Sequence, residues 1–301
     1  MKIAVPIAAY CEGTTGEYVA RALRRLGHEA EILSQWSFYD SFGVGGHDFY
    51  FCVDSGGPLN LFESSIQDIS MRNLVFWMID YRRGKHLKDP NDFKTSKLVS
   101  DRGGIVYQAQ YEDAVECAAN NIKGNWLPLA ADPDVWSDTP QETKRYDVGF
   151  VGNVWDPARE EALASITRAG LACSFKGHGT AYMEAGAKLL RSSRVGFNIS
   201  SFFYEGPSVN FDINMRVFET ISCGAPIVTN WVPSLTRLFG DPLPKFIRTY
   251  RDVGDISSVL VSALGDPEFV ASGIEARQWI LDNATYVHRV KEVLDEYESG
   301  K

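Results

Sequence analysis

The sequence predicts an α/β protein with two Rossmann-like halves. Short apolar strand patterns alternate with amphipathic helical patterns from Lys2 to Leu33, and the alternation begins again at Asp147 after a polar, proline-containing stretch. Glycine, serine and acidic residues follow several of these strands, at the edge where parallel sheets bind ligands. We therefore expect two parallel sheets, each with its own ligand-binding edge.

The composition is that of a globular protein. The 301 residues are 45% hydrophobic, which is sufficient for two cores, and the net charge of -9 excludes a general electrostatic attraction to nucleic acid or anionic lipid. The five cysteines include no close pair, so neither a disulfide framework nor a zinc site is expected, and a reducing cytoplasm is favoured. No apolar run approaches the roughly 20 residues of a membrane-spanning helix. The apolar start contains Pro6 and is predicted to be a strand and not a signal peptide.

The first half opens with a strand, a helix and a second strand, the pattern of a right-handed β-α-β unit. The strands of this half are predicted at Lys2–Ala8, Glu29–Leu33, Asp48–Val53, Leu74–Ile79, Lys97–Ser100 and Gly104–Tyr107, and the helices at Glu17–Leu26 and Glu112–Ala119. A turn formed by Gly13, Thr14, Thr15 and Gly16 follows the first strand, at the carboxyl edge of the sheet. It is a candidate ligand loop, although a plain tight turn explains the same residues.

Two aspartates stand directly after strands of the first half. Asp54 follows the third strand and Asp80 the fourth, so both are expected at the same edge as the glycine turn. Either carboxylate could act as a general base, and a cap or turn residue is the alternative for each. The segment 82–102, which follows Asp80, has seven basic and three acidic residues. It is either a solvated loop or a surface that holds an anionic partner, DNA included.

The second half repeats the alternation after residues 130–144, whose composition predicts a linker. Its first strands are predicted at Asp147–Val151, Ala172–Lys176 and Val195–Ile199, and its first helices at Pro157–Ala169 and Tyr182–Leu190. The end of the chain is predicted to form three helices, at Asp255–Leu264, Glu268–Asp282 and Tyr286–Tyr297. The loops after the strands carry the candidate ligand residues Gly152, Asn153, Gly177 and His178, with Arg159 in the helix after the first. A single histidine without a carboxylate or thiol partner is neither a metal site nor a triad.

The stretch Asn210–Asn230 predicts a helix followed by a buried strand. Residues 217–222 have helical spacing of their apolar side chains, and Gly224 suits a left-handed C-cap. Asp212 is the expected N-cap. The first-turn amides near Asn214 would then point out of the sheet edge, where a diphosphate could bind.

Arg216 and Glu219 lie three residues apart on this helix and could face one ligand, with a surface ion pair as the alternative. Asn214-x-Arg216-x-x-Glu219, followed by Gly224-x-Pro226, resembles the donor-binding helix of GT-B glycosyltransferases.

The resemblance extends over nearly the whole chain. The motifs are Trp126-Leu-Pro-Leu-Ala-Ala-Asp-Pro, Phe150-Val-Gly-Asn-x-x-Asp-x-x-Arg159, Asn214-x-Arg216-x-Phe218-Glu219 and Thr285-Tyr-x-His-Arg289, in the order and spacing of the CgeB-like glycosyltransferases, a spore-coat-named group also common in phages. This resemblance implies a GT-B protein, with two Rossmann-like domains facing a central cleft. It places an acceptor domain at residues 1–130 and a nucleotide-sugar domain at residues 131–285. The final segment, residues 286–301, would pack back on the first domain.

The resemblance also implies roles for individual residues. Glu219 would hold the ribose hydroxyls of the donor and Arg216 would neutralise its diphosphate. The remaining donor-binding candidates are Gly152, Asn153, Arg159, Gly177, His178 and Asn214, the acceptor-side loop is Gly13, Thr14, Thr15 and Gly16, and the catalytic candidates are Asp80 and Asp54. Related retaining enzymes carry a further glutamate eight positions before the ribose glutamate, where this chain has Phe211. An inverting displacement would instead need a base, for which Asp80 is the candidate.

The expected function is transfer of a hexose-type sugar from a nucleotide-sugar, most simply a UDP-sugar, to an acceptor hydroxyl. No cofactor is expected beyond the nucleotide-sugar co-substrate, and no metal. The acceptor, the stereochemistry and the oligomeric state stay open, and a hydroxymethylated DNA base held by segment 82–102 is one acceptor hypothesis. A sugar-nucleotide epimerase of the same architecture and a non-catalytic sugar-nucleotide-binding module are the alternative functions.

Overall fold

The structure is a computed structural model. It describes residues 1–7, 13–34, 37–38, 42, 46–54, 70–79, 93–152, 154, 157–176, 182–200 and 213–299. The chain forms two compact units: Met1–Leu129 with Tyr286–Lys301, and Ala130–Thr285. None of the described helices is both long and apolar enough to cross a membrane.

The two units are built from alternating strands and helices. In chain order the described strands are β1 (Lys2–Ile7), β2 (Glu29–Ser34), β3 (Phe49–Asp54), β4 (Leu74–Met78), β5 (Ile105–Gln108), β6 (Gly124–Trp126), β7 (Tyr146–Val151), β8 (Cys173–Lys176), β9 (Ser193–Asn198), β10 (Ile227–Asn230) and β11 (Ile247–Tyr250). The described α-helices are α1 (Thr15–Arg25), α2 (Lys94–Asp101), α3 (Tyr111–Ala119), α4 (Pro157–Arg168), α5 (Tyr182–Arg191), α6 (Met215–Ser222), α7 (Pro233–Phe239), α8 (Ile256–Leu264), α9 (Pro267–Ala271), α10 (Gly273–Asn283) and α11 (Tyr286–Ser299).

The first unit contains a parallel sheet with the strand order β2-β1-β3-β4-β5-β6. The order reverses between β1 and β3, which is the switch point where doubly wound sheets bind ligands. β1 and β4 are almost entirely buried, as expected for parallel strands with continuous apolar sequences. The last helix, α11, packs beside α1 in this unit, where the rings of Tyr18 and Tyr286 lie 5.2 Å apart.

The second unit contains a parallel sheet with the order β11-β10-β9-β7-β8. If the strands of this unit are numbered 1 to 5 from β7 to β11 and the sheet is read from β8, the strand order is 2-1-3-4-5. The first five strands of the first unit have the same order. The switch point of the second sheet therefore lies between β7 and β9. One face of the sheet forms an apolar core with α4 and α8, in which Phe150 and Phe197 pack against Ile166 and Leu260.

Most predicted elements are present with bounds shifted by a few residues, and two are wrong. Lys97–Ser100 is not a strand but part of α2, in which Thr95, Ser96 and Val99 are buried at helical spacing. Four residues are too few to distinguish the two-residue period of a strand from the 3.6-residue period of a helix. The helix predicted over Glu268–Asp282 is two helices, α9 and α10.

A close backbone contact lies at this interruption. A Cβ atom on Gly273, at the start of α10, would lie 2.1 Å from the carbonyl oxygen of Gly224, so α10 can only begin here with glycine. The predicted linker differs as well, because Ala131, Asp132 and Trp136 are fully buried within the second unit. α7 and β11 lie in a stretch for which no element is predicted above.

Candidate functional site

α6 carries the predicted ligand residues and starts one residue after Asn214. The Asn214 side-chain oxygen accepts a hydrogen bond from the Arg216 backbone N–H at 3.1 Å, so Asn214 is the N-cap. The prediction of Asp212 as N-cap is wrong; Asp212 itself lies outside the described residues. Both residue types cap helices well, so the sequence could not decide between them. Gly224 has a φ of 73° after the helix, as its predicted role as C-cap requires.

The position of α6 on the sheet is set by Gly196 of β9. A Cβ atom on Gly196 would lie 2.1 Å from the Thr220 Cγ2, so the absence of a side chain lets α6 approach the strand closely. Because β9 and β10 are neighbouring parallel strands joined through α6, the helix runs antiparallel to them. Its first turn therefore lies at the carboxyl edge of the sheet.

Arg216 and Glu219 form an ion pair in this first part of α6. The Glu219 side chain is fully buried, whereas the Arg216 side chain is 15% exposed and so reaches the surface. Burial raises the pKa of the Glu219 carboxyl above its ordinary value, and the neighbouring guanidinium opposes that rise. One carboxylate oxygen, Oε1, has no hydrogen-bond partner among the described residues. The pair is thus a buried acceptor covered by a cation that remains accessible.

A second set of polar side chains lies at the carboxyl ends of β9 and β10, and its members Asn198, Thr229 and Asn230 were not predicted. The Asn198 Nδ2 donates to the Ser200 Oγ at 3.1 Å and to the Thr229 Oγ1 at 2.9 Å, and the Ser200 N–H donates to the Asn230 Oδ1 at 2.8 Å. Within the described part of the chain, the Asn198 Oδ1 and the Asn230 Nδ2 have no partner although both residues are buried. The available signal was that these strands, otherwise apolar, end in amide and hydroxyl residues.

The structure brings Arg159 to the switch point of the second sheet. It lies in α4, after β7, and its Nη2 is 3.4 Å from the carbonyl oxygen of Ile199, directly after β9. Gly152 follows β7 and is buried; a Cβ there would lie 2.9 Å from the Phe150 ring, so packing explains this glycine. The other predicted loop residues, Asn153, Gly177 and His178, lie outside the described residues.

The turn that contains Gly13 and Gly16 is stabilised by Glu17, for which no role was predicted. The Glu17 carboxylate accepts a hydrogen bond from the Gly13 N–H at 2.8 Å and pairs with Arg21 at 2.7 Å. Gly16 sits against β1, since a Cβ there would lie 2.1 Å from the Ile7 Cγ2. Thr14 is the N-cap residue of α1, but its side chain forms no capping hydrogen bond, and Thr15 is the first, buried residue of the helix. The close packing of Gly16 and the hydrogen bond from Gly13 to Glu17 therefore account for this turn.

The structure describes only part of the two catalytic candidates, Asp54 and Asp80. Asp54 is the last residue of β3, at the expected edge of the first sheet, but its side chain lies outside the described part of the structure. Asp80 lies outside the described residues, as does the basic segment up to residue 92. In the described remainder of that segment, Lys97 pairs with Asp101 at 2.8 Å along α2.

One Asp-x-Asp sequence, Asp132-Pro-Asp134, has the spacing of a metal-binding motif but lies in a turn. The Asp132 Oδ1 accepts a hydrogen bond from the Asp134 N–H at 3.1 Å, and the Asp132 carbonyl oxygen accepts one from the Trp136 N–H at 2.8 Å. The described ranges contain no group of three or more His, Cys, Asp or Glu side chains arranged to hold a metal ion. The Asp-x-Asp spacing is explained by the turn.

The arrangement in the second unit can bind an anionic ligand that also carries hydroxyl groups. Arg216 provides a cation that reaches the surface, at the positive end of a helix and near the carboxyl edge of a parallel sheet. Beneath it lies the buried Glu219 Oε1, which has no hydrogen-bond partner among the described residues and can accept hydrogen bonds from hydroxyl donors once the guanidinium moves aside. A phosphate ester of a sugar combines both features.

Comparison with known proteins identifies the family. Residues 138–295, just over half of the chain, match the family described as glycosyl transferase-like. No curated protein sequence matches the chain.

Several solved structures share the fold over nearly the whole chain. HepE of Anabaena, solved in complex with UDP and glucose, is 12% identical with a TM-score of 0.69, covering 99% of this chain and 100% of that chain. Sucrose-phosphate synthase from Thermosynechococcus elongatus is 11% identical with a TM-score of 0.65, covering 99% and 98%. A glycosyltransferase from Rickettsia africae is 12% identical with a TM-score of 0.63, covering 99% and 98%. These similarities show the GT-B fold, and the family match shows that the chain belongs to the glycosyl transferase-like family.

Proposed function

We propose that the protein transfers a hexose-type sugar from a UDP-sugar to an acceptor hydroxyl, as a member of the CgeB-like group. The observation that carries this proposal is the Arg216–Glu219 pair at the start of α6, at the carboxyl edge of the second sheet. The similar fold of HepE, whose crystals contain UDP and glucose, supports the choice of nucleotide and sugar. The motifs quoted above support the CgeB-like assignment.

Binding of the donor would replace the ion pair between Arg216 and Glu219 with contacts from each of these residues to the donor. Arg216 covers the fully buried Glu219 carboxylate, so the ribose can reach Glu219 only if the guanidinium turns toward another anion. A diphosphate offers more negative charge than the carboxylate and can bind the guanidinium through two oxygens. Turning Arg216 to the diphosphate would then release Glu219 to accept hydrogen bonds from the ribose hydroxyls.

Departure of UDP would be assisted by cationic side chains and not by a metal ion. Arg216, and Arg159 at the switch point, can stabilise negative charge that develops on the leaving diphosphate. We assign the general base to Asp80, with Asp54 as the second candidate, because both follow central strands of the first sheet. Phe211 replaces the glutamate of retaining relatives, which supports an inverting displacement.

The acceptor would bind to the first unit. A hydroxymethylated DNA base is the less favoured acceptor, because the net charge is -9 and Lys97 in the basic segment is already paired with Asp101. A neutral glycan, small molecule or protein hydroxyl needs no such cationic surface. If DNA is the acceptor, transfer will fall steeply with salt, because log affinity falls by about 0.9 per phosphate neutralised.

Two linked measurements test the proposal. A thermal-shift panel of UDP-, GDP-, dTDP- and ADP-sugars identifies the donor, since a ligand at 100 times its dissociation constant adds about 2.7 kcal/mol of stability. Release of free nucleotide from that donor is then followed with glycan, small-molecule, protein and hydroxymethylated DNA acceptors. Acceptor-dependent release of UDP is expected. Conversion of the donor to an epimer without release would show an epimerase, and binding without either reaction would show a binding module; each result would overturn the proposal.

A further inference from the structure

Trp136 lies beneath the guanidinium of Arg216. The central guanidinium carbon of Arg216 is 5.7 Å from the centre of the Trp136 ring, within the range of a cation–π contact. The ring is fully buried, although its residue belongs to the stretch whose composition predicts a linker. The ring also lies close to α5, since a Cβ atom on Gly186 would be 3.1 Å from it. The indole is therefore packed near both α5 and the side chain of Arg216.

The backbone around Trp136 is tied to the same helix that carries Arg216. The Ser222 Oγ, at the end of α6, donates to the Trp136 carbonyl oxygen at 2.5 Å. Next along the chain, the Ser137 carbonyl oxygen accepts a hydrogen bond from the Arg191 Nη1 at 3.0 Å, and Asp138 pairs with the Arg277 Nε at 3.1 Å. These contacts hold residues 136–138 against α5, α6 and α10 without involving Arg216.

Arg216 is thus held by two different kinds of partner. Glu219 pairs with its guanidinium, and the Trp136 ring supports it. When a diphosphate replaces Glu219 as the anionic partner, the indole contact can persist, because a guanidinium that lies over an aromatic ring keeps its N–H donors free at the edge. The Trp136 ring would then restrict the positions that the Arg216 guanidinium can adopt.

We propose that Trp136 is a positioning residue that presents Arg216 to the diphosphate of the nucleotide-sugar. This inference rests on the proposed function. It predicts that loss of the ring weakens binding of ligands that carry a diphosphate and leaves binding of the nucleoside portion unchanged. A merely structural role would weaken both to the same extent.

The test compares UDP and uridine binding by titration calorimetry in wild type, Trp136→Phe and Trp136→Leu. Trp136→Leu is expected to raise the Kd for UDP roughly threefold to thirtyfold, the range of a cation–π contact, with the Kd for uridine unchanged. Trp136→Phe keeps an aromatic face and is expected to retain most of the UDP affinity. Trp279→Leu is the control, because Trp279 lies in the same unit but packs against Phe239, with 4.3 Å between the ring centres. This variant is expected to bind both ligands as wild type does.

The outcomes separate the two proposals. If wild type binds neither ligand, the proposed function fails. If wild type binds UDP more tightly than uridine and folded Trp136→Leu keeps the same ratio of affinities, the role of Trp136 fails while the proposed function stands. If Trp136→Leu does not fold, Trp136→Met takes its place, because its longer, flexible side chain is also non-aromatic and fills irregular space in a core. A folded Trp136→Met that keeps the wild-type ratio of UDP to uridine affinity would contradict the role of Trp136.

Discussion

Thr220 of α6 occupies the space that a side chain on Gly196 of β9 would fill, with its Cγ2 2.1 Å from the position of such a Cβ atom. This close contact determines how near α6 lies to the sheet. It thereby sets the place of Arg216 and Glu219, which lie within one turn of Thr220 on the same helix. The positions of the two proposed ligand residues therefore depend on a packing contact elsewhere on the same helix.

Gly196→Ala is expected to displace α6 and destabilise the second unit. Overpacking of this kind costs roughly 1–3 kcal/mol, measured as the change in free energy of unfolding by urea. Gly254→Ala is the control, because a Cβ there would have no atom within 4 Å, and its effect should stay within about 0.5 kcal/mol. Adding Thr220→Ser, which removes the clashing methyl group, should recover part of the loss. Equal effects of Gly196→Ala and Gly254→Ala would contradict the packing argument.

Arg289→Met is expected to destabilise the first unit through two backbone carbonyls. Arg289 is buried, its Nε donates to the Pro128 carbonyl oxygen at 2.8 Å, and its Nη2 lies 3.5 Å from that of Leu129. Methionine leaves these acceptors without their donor, which costs roughly 1–3 kcal/mol in urea unfolding. Arg168→Met removes an arginine that is 62% exposed and should change stability by less than about 1 kcal/mol. Indistinguishable unfolding midpoints for the two variants would refute the role of Arg289.

The pH dependence of Arg289 follows from its burial. Desolvation lowers the pKa of its guanidinium to about 10 from 12.5. Between about pH 10 and pH 12.5, Arg289 is therefore protonated in the unfolded chain but not in the folded chain. Only in this range does Arg289 make the free energy of unfolding rise with pH. Below a pH of about 10 the side chain is charged in both states. The stability difference between wild type and Arg289→Met should accordingly be constant between pH 6 and 9, and a difference that changed across this range would contradict the assignment.

Cys173 is expected to resist alkylation in the folded protein. Burial raises the pKa of its thiol from 9.0 to about 11, so its thiolate fraction at pH 8 is about a hundredfold lower than for an unperturbed thiol. Iodoacetamide should modify the Cys173 peptide slowly at pH 8, measured by mass spectrometry, and faster as the pH approaches 11. Denaturation in urea should abolish the protection. Alkylation at the same rate in folded and unfolded protein would show that the thiol is not protected.

Much of the fold was predicted from the sequence because most of its elements have a local signal of their own. Alternating apolar strands and amphipathic helices identified both sheets, and Gly224 marked the end of α6 through its need for a positive φ. The three-residue spacing of Arg216 and Glu219 predicted that their side chains share one face of the helix, and there they form an ion pair. These features depend on neighbours within one or two turns.

The remainder depends on contacts between residues distant in sequence. Trp136 was placed in a linker because its surroundings are polar and rich in proline, yet its ring packs against Gly186, fifty residues later. Asn198 and Thr229 gain significance only through the register that pairs β9 with β10. The burial of Glu219 beneath Arg216 likewise follows from the close approach of α6 to Gly196, which no local pattern encodes.

The central claim is that Glu219 binds the ribose of a UDP-sugar, and the most direct measurement is calorimetric titration of UDP and of 2′,3′-dideoxy-UDP into wild type and Glu219→Gln. Glutamine preserves the shape of the side chain and avoids the cavity that alanine would leave beneath Arg216. Wild type should lose roughly 1.5–3 kcal/mol when the ribose hydroxyls are absent, the strength of hydrogen bonds to a charged group. In Glu219→Gln, UDP should bind correspondingly more weakly, and the two ligands should become nearly equivalent. A folded Glu219→Gln that still distinguishes UDP from its dideoxy form as wild type does would contradict the account.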